Sequence, residues 1–336
     1  MDQSELLQIS VVIPTFNCAP FIASAIESVL RQTVKVGEIV VVDDGSTDET
    51  KEILTQFADS IRYVYQTNTG LSTARNRGIE EARGEVIALL DADDIWREDK
   101  IELQASLLAR HPDIEVVFSD YQNFRGAAYH RPYFEGIELL SQLRVENLDG
   151  DNLRVADNDF FRKILRHHII LPSTFMARKA CFERVGNFDP SLRIVQDTHL
   201  WLRMAKQCKF AFINAPLVDR RLRDGSLITD ESNFIDECIV MIQGLPNQMD
   251  RLTSDEISSI RQALDHWYWQ AYRMYRVRAG RFTRSYLFNR ILRRDFRLRP
   301  LLFFLLSIVP DYVVGTVNTL RWRRGQRIPI ASRPEN

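Results

Sequence analysis

The chain has 336 residues, long enough for one large domain and a smaller one. With 45% apolar and 26% charged residues it has the make-up of an ordinary globular protein, which excludes a disordered or low-complexity chain. Its four cysteines, Cys18, Cys181, Cys208 and Cys238, show neither metal-ligand spacing nor a disulfide framework, and residues 1–10 are polar with no signal-peptide pattern, so a cytoplasmic, reducing setting is expected.

In chain order, Ile9 to Ile13 reads as a buried strand and Pro20 to Arg31 as an amphipathic helix. Glu38 to Val42 is a second strand, a helix opens near Thr47, and Ile61 to Tyr65 is a third strand. Gly70 to Arg83 is a helix stopped by Gly84, and Glu85 to Leu90 a fourth strand. Arg97 to Arg110 is a helix with Pro112 just past its end, and Ile114 to Phe118 a fifth strand. This rhythm predicts an α/β fold, a mostly parallel sheet flanked by helices. Residues 121–170 mix polarity with turn residues and are expected to form loops and short helices. Pro172 to Ala177 then reads as a strand, Arg178 to Val185 as a helix stopped by Gly186, Gln196 to Cys208 as a helix with Leu200, Met204 and Cys208 on one stripe, and Phe210 to Ile213 as a strand. Beyond Asp224 the signal is helical. Thr253-Ser254-Asp255-Glu256 fits a capping box, opening a long helix to Ala279 that Gly280 closes. The expected division is an α/β domain over 1–228 and a C-terminal helical extension over 229–336.

Three acidic clusters follow these elements. Asp43-Asp44-Gly45-Ser46 comes directly after an apolar run, where Gly45 allows a tight turn and Asp44 can accept the N–H of a base such as uracil; the plain alternative is a turn. In Asp91-Ala92-Asp93-Asp94 alternate residues of an extended segment share a face, so Asp91 and Asp93 form a pair of hard oxygen ligands suited to Mg²⁺ or Mn²⁺ with a diphosphate. Asp197 opens the helix carrying Trp201 and Met204; the helix dipole is expected to lower its pKa and make it a weak base. Pro14-Thr15-Phe16-Asn17 follows the first strand, with Thr15 and Asn17 offering polar groups to a ligand or merely capping the next helix. Arg75 and Asn76 lie on a helix facing the strand ends, where they can hold a base, ribose or phosphate.

Taken together, Val11 through Asn17, Val42 through Asp48, Gly70 through Gly78, Leu90 through Asp94, Val185 through Asp189 and Gln196-Asp197 through Arg203 resemble family 2 of the inverting nucleotide-sugar glycosyltransferases, over about residues 9 to 228. The resemblance implies a GT-A fold, a nucleoside-diphosphate sugar donor, UDP-linked, and a glycan or lipid-linked acceptor in bacterial surface-polysaccharide synthesis. It implies that Thr15 and Asp44 contact the base with Arg75 nearby, that Asp91 holds the ribose, and that Asp93 holds the metal bridging the diphosphate; Pro14, Asn17 and Ala92 count with the donor-binding residues, and Asp91 also with the metal. Asp197 is implied as the base that takes the acceptor proton. Two positions depart from the family pattern: Gln196 stands where Glu is usual, and Arg223 stands at about the position of a metal-binding His. Arg cannot ligate a metal but can clamp a diphosphate.

From Trp267 onward there are fifteen Arg and no Lys against Asp295, Asp311 and Glu335, a formal +12 that leaves −13 for residues 1–266. The apolar run Leu301 to Val309 is too short to span a bilayer, and its basic flanks suit peripheral contact with an anionic membrane at the inner face of the plasma membrane. Alternatives are packing on the catalytic domain or on a second subunit, as in a homodimer. No nucleic acid is expected, because no recognised module accompanies the Arg residues. Rival functions are a non-catalytic sugar-nucleotide-binding scaffold, which intact Asp93 and Asp197 oppose, and a nucleotidyltransferase, which would want a glycine-rich basic loop where Pro14-Thr15-Phe16-Asn17 stands.

Overall fold

The computed structural model describes residues 7–136, 145–149, 152–155, 157–223, 231–249 and 251–278. The chain divides into two compact units, Met1–Ala263 and Leu264–Asn336. The first therefore reaches past the boundary expected at 228. The Arg-rich tail beyond Arg278, with the Leu301 to Val309 segment and the stop at Gly280, lies outside the described residues. No described helix is long and apolar enough to cross a membrane.

The elements of the first half form as their residues dictate: β1 (Ile9–Thr15), α1 (Ile22–Leu30), β2 (Glu38–Asp43), α2 (Thr50–Thr55), β3 (Arg62–Tyr65), α3 (Leu71–Glu81), β4 (Val86–Leu89), β5 (Ile95–Trp96) and α4 (Lys100–Arg110). β1 and β4 are buried along their whole length, as unbroken apolar runs in a parallel sheet should be. α3 lies against β1, and Gly78 is what lets it: a Cβ there would come within 2.2 Å of the Val12 side chain. The second half continues with β6 (Val116–Arg125), β7 (Ala128–Pro132), β8 (Val145–Asp149), β9 (Asn152–Val155), α5 (Asp157–Ile164), β10 (Met176–Arg178), α6 (Lys179–Val185), α7 (Gln196–Ala205), β11 (Phe210–Arg221), α8 (Glu231–Gln248) and α9 (Ser254–Arg278).

Among the described residues one sheet runs β3-β2-β1-β4-β10-β6-β11-β9-β8, with β5 on β11 and β7 on β6. The expected parallel ladder holds over β3-β2-β1-β4. From there the sheet is mixed, because β10 inserts antiparallel between β4 and β6. Residues 121–170 depart in part from the expectation of loops and short helices. α5 and the 3₁₀ turn Phe134–Gly136 are short helices as expected, but β6 runs on to Arg125 and turns back as β7, and β8 and β9 form a hairpin on β11. The strand period is blurred by polar Gln122, Asn123 and Arg125 in β6 and by β7, which is exposed from Ala128 to Arg131. Pro172 to Thr174 is a 3₁₀ turn rather than the start of a strand, which is shorter and begins at Met176.

β5 is a further difference, and it matters for the site. Ile95 and Trp96 pair with Asp219 and Val218 of β11 instead of running on into α4. This two-residue strand brings the Asp91–Asp94 turn against the far end of β11, some 130 residues later in sequence for the Asp93–Arg223 pair.

Candidate active site

β1 and β2 end side by side, Thr15 level with Asp43, so the first acids emerge at the carboxyl edge of a parallel sheet. Asp43 accepts the Ser46 N–H and the Tyr63 hydroxyl. Asp44 is buried; its Oδ1 accepts the Gln66 side chain at 2.8 Å and the Thr69 N–H at 2.9 Å, and its Oδ2 accepts the Gly70 N–H at 2.8 Å. It thus holds the loop that opens α3, made possible by Gly45 at φ 78° against the Asn68 backbone. Asn17, also at positive φ, accepts the Thr47 N–H, while its own N–H goes to Ser46. Pro14 is buried in β1, and Thr15 Oγ1 is buried without a hydrogen-bond partner among the described residues. Phe16, between them and Asn17, leaves 46% of its surface exposed beside these groups.

One connected set of bonds links the remaining predicted residues. Arg75 of α3 is 1% exposed, and donates to Asp91 Oδ1 at 2.5 Å and to Gln196 Oε1 at 2.9 Å, with its guanidinium carbon 5.3 Å from the centre of the Phe188 ring. The Asp91 backbone N–H donates to the Ser173 hydroxyl oxygen at 3.1 Å. Ala92 is buried in the core, so only its backbone is placed to meet a ligand. Asp94 is buried and bonded to the Ser173 hydroxyl at 2.6 Å and the Arg221 N–H at 3.1 Å; burial first, then the charges of Asp93 and Asp91, push its pKa up to about 8. Asp93 remains partly exposed, and its Oδ2 accepts Arg223 Nε at 2.6 Å.

Asp93 has the donor chemistry that a divalent ion wants, a hard and accessible carboxylate oxygen. Among the described residues no group of three or more His, Cys, Asp or Glu side chains is arranged to hold a metal, so an ion at Asp93 would draw its other ligands from a diphosphate and water.

Asp197 corrects the expected pKa direction. Burial pushes it up to about 6, against the opposing pull of Arg75 and the Thr198 N–H, with Asp91 adding to the rise. The helix terminus does not dominate because desolvation of the carboxylate outweighs the dipole. Thr198 N–H binds Asp197 Oδ1 at 2.6 Å, and Thr198 Oγ1 lies 2.6 Å from His168 Nδ1. Burial, and then His167, hold His168 down to about 4, so it is neutral. The neutral Gln196 has its own consequence. A Glu there would place another carboxylate on Arg75, whereas the amide leaves that charge to Asp91 and Asp197.

Sequence reasoning missed two contributors. Phe16 was passed over as part of a turn, although an exposed aromatic beside polar strand ends was a usable signal. Glu237 of α8 accepts the N–H groups of Arg193 at 3.0 Å, Ile194 at 2.5 Å and Val195 at 2.8 Å, and so holds the backbone that leads into the helix whose first turn carries Asp197. Nothing local marks it, since it stands 40 residues beyond Asp197 in a segment read only as helical extension. The other predicted residues converge. Asp91, Arg75, Gln196 and Asp197 form one chain of contacts, and Asp93 with Arg223 lies at its edge.

The chain is 30% identical over 233 residues to a putative teichuronic acid biosynthesis glycosyltransferase, TuaG, of Bacillus subtilis strain 168, covering 66% of this chain and 82% of that one. The fold matches that of S. aureus TarS in complex with UDP-GlcNAc, at TM-score 0.63 and 17% identity over 92% of this chain and 83% of that one. It also matches the mannosyltransferase PcManGT from Pyrobaculum calidifontis in complex with GDP-Man and Mn²⁺, at TM-score 0.56 and 17% identity over 95% and 88%. These likenesses give the GT-A fold. The glycosyl transferase family 2 model matches residues 10–182, more than half of the chain, so this protein is a family 2 glycosyltransferase.

Proposed function

We propose that the chain moves a sugar from a nucleoside-diphosphate sugar, UDP-linked, to a hydroxyl of a glycan or lipid-linked acceptor with inversion at the anomeric carbon. The single observation that carries this reading is the chain of contacts Asp91–Arg75–Gln196 ending beside Asp197, which joins a strand-end carboxylate to a base with a pKa near 6. Phe16 offers a face for a base to stack on, and the unpartnered Thr15 hydroxyl and Asp44 offer it polar groups. Asp91 lies where the ribose would come, and Asp93 where a divalent ion would sit on the diphosphate and neutralise the leaving group.

The acceptor oxygen attacks the anomeric carbon from the side opposite the diphosphate. The new C–O bond forms as the bond to the phosphate oxygen breaks, the electron pair leaves with the nucleoside diphosphate, and the proton goes to Asp197. A pKa near 6 suits this: the group is ionised at neutral pH yet far more basic than an ordinary aspartate. The likeness to TuaG, a putative teichuronic acid biosynthesis glycosyltransferase, supports a setting in bacterial surface-polysaccharide synthesis, and the UDP-GlcNAc bound by TarS supports a UDP-linked donor. The +12 tail supports a site beside an anionic bilayer, where a lipid-linked acceptor is found. Calorimetry with UDP, GDP and dTDP, each with and without Mn²⁺, followed by transfer assays with the sugar form of the nucleotide that binds, tests the reading. Binding of none of them would overturn it, as would a product that retains the donor's anomeric configuration.

A further inference from the structure

The nucleotide reading of this site leaves one contact unexplained. Asp93, the carboxylate that would meet an ion, is already paired with a cation. Arg223 Nε lies 2.6 Å from its Oδ2, in a pair whose side chains are 33% and 20% exposed. The neighbouring carboxylates have other partners, Asp91 in Arg75 and Asp94 in Ser173 and the Arg221 N–H. Among the described residues Arg223 is the side chain that offsets the charge of Asp93.

The two arginines at the end of β11 are held differently. Arg221 is fixed: its Nε donates to the Asp93 carbonyl at 3.0 Å, and its guanidinium lies over the rings of Phe21 at 5.0 Å and Phe124 at 4.5 Å. Arg223 stands beyond the last residue of the strand, over Phe21 alone at 5.6 Å, and commits one of its five N–H donors to Asp93. A guanidinium and a divalent ion compete for the same carboxylate oxygen, and a diphosphate is a better partner for a guanidinium than a single carboxylate is.

We propose that Arg223 is a resident counter-cation of Asp93, exchanged for a divalent ion when a donor diphosphate arrives to take the guanidinium. Metal and nucleotide binding are then positively and reciprocally coupled, and metal alone binds poorly. This rests on the nucleoside-diphosphate reading of the site.

The test is Mn²⁺ binding to the full chain, read by the electron paramagnetic resonance signal of free Mn²⁺, with and without UDP. In the absence of nucleotide, Arg223→Gln is expected to bind Mn²⁺ about tenfold or more tightly than the wild type. The same variant is expected to bind UDP more weakly, so the factor by which UDP improves Mn²⁺ binding shrinks. Arg223→Lys keeps a cation beside Asp93 and is expected to stay close to the wild type without UDP; a gain equal to that of the Gln variant would overturn the exchange. Equal Mn²⁺ affinity of wild type and Arg223→Gln without nucleotide would also overturn it, even if UDP binding weakened, and would reduce Arg223 to a diphosphate clamp. Failure of the wild type to bind any nucleotide would overturn the function proposed above, while the nucleotide-free Mn²⁺ comparison would still decide the exchange.

Discussion

The two sides of this site are built in different ways. On the side of β1 and β2 the strand ends and loops within 30 residues of them complete one another: Asp43 takes the Ser46 N–H, Asn17 reaches Thr47, and Asp44 ties down the loop to Gly70. On the side of α7 the base depends on distant partners. Arg75 comes from 121 residues before Gln196, and Glu237 of α8 holds the backbone leading into the helix, 42 residues beyond Val195. On the first side Asp43 and Asp44 spend their oxygens on N–H and O–H donors that shape the loops. The second leaves Asp197 partly desolvated, with a pKa near 6. The fold thus shapes the strand-end edge with loop hydrogen bonds and tunes the Asp197 carboxylate by burial.

Substitutions on the two sides should therefore fail differently. The largest effect is expected at Asp197. Asp197→Asn should lower the transfer rate by about 10³-fold while leaving UDP affinity within about twofold, as removal of a base without loss of binding does. The same variant should be more stable than the wild type above pH 7, by on the order of 1 kcal/mol. The sign follows from the raised pKa. The folded protein holds a proton that the unfolded chain releases between about pH 4 and 6, so the ionised carboxylate costs stability above that window and not below it. Urea melts at pH 8 and pH 4 would measure both limits, and a variant less stable than wild type at pH 8 would count against the desolvated base.

Arg75→Met comes next. It removes a buried charge from between Asp91 and Gln196 and should cost about 2 to 3 kcal/mol in urea melts, below the full value for a buried pair because Asp91 is partly exposed. Asp44→Ala leaves the donors of Gln66, Thr69 and Gly70 without their acceptor and should cost about 2 kcal/mol. Its functional loss should appear as weaker UDP binding, the reverse of the Asp197→Asn pattern. The smallest effect is expected for Glu237→Gln, which keeps the shape of the side chain but removes the charge that its three N–H partners face. A loss of about 1 kcal/mol, with kcat reduced and KM for the donor unchanged, would show that α8 serves the base and not the nucleotide.

The same division governs what could be read from the residues alone. The strands of the first half were legible because β1, β2 and β4 are largely apolar runs, β2 ending in Asp43 and β4 leading into Leu90-Asp91, and because Gly45, Gly70 and Gly84 punctuate them. Asp44, Asp91, Asp93 and Asp197 stood out as charges that packing does not explain. The strands within residues 121–170 were not legible, since polar Gln122, Asn123 and Arg125 stand inside β6 and β7 is exposed along most of its length, which blurs the strand period. β5 was invisible because two residues carry no period at all; only its pairing with β11 defines it. The pKa of Asp197 was misjudged because a helix start is visible in sequence, whereas the protein that closes over the carboxylate is not. Glu237 and the Arg223–Asp93 pair were hidden for a related reason. Both join residues distant along the chain, so no local pattern announces them.

The most direct measurement is the pH dependence of the single-turnover transfer rate with saturating donor. The base must be ionised to accept a proton, so the rate should be level at neutral pH and fall about tenfold per pH unit below about 6. A rate that stays level down to pH 4.5 would contradict a desolvated Asp197 acting as the base.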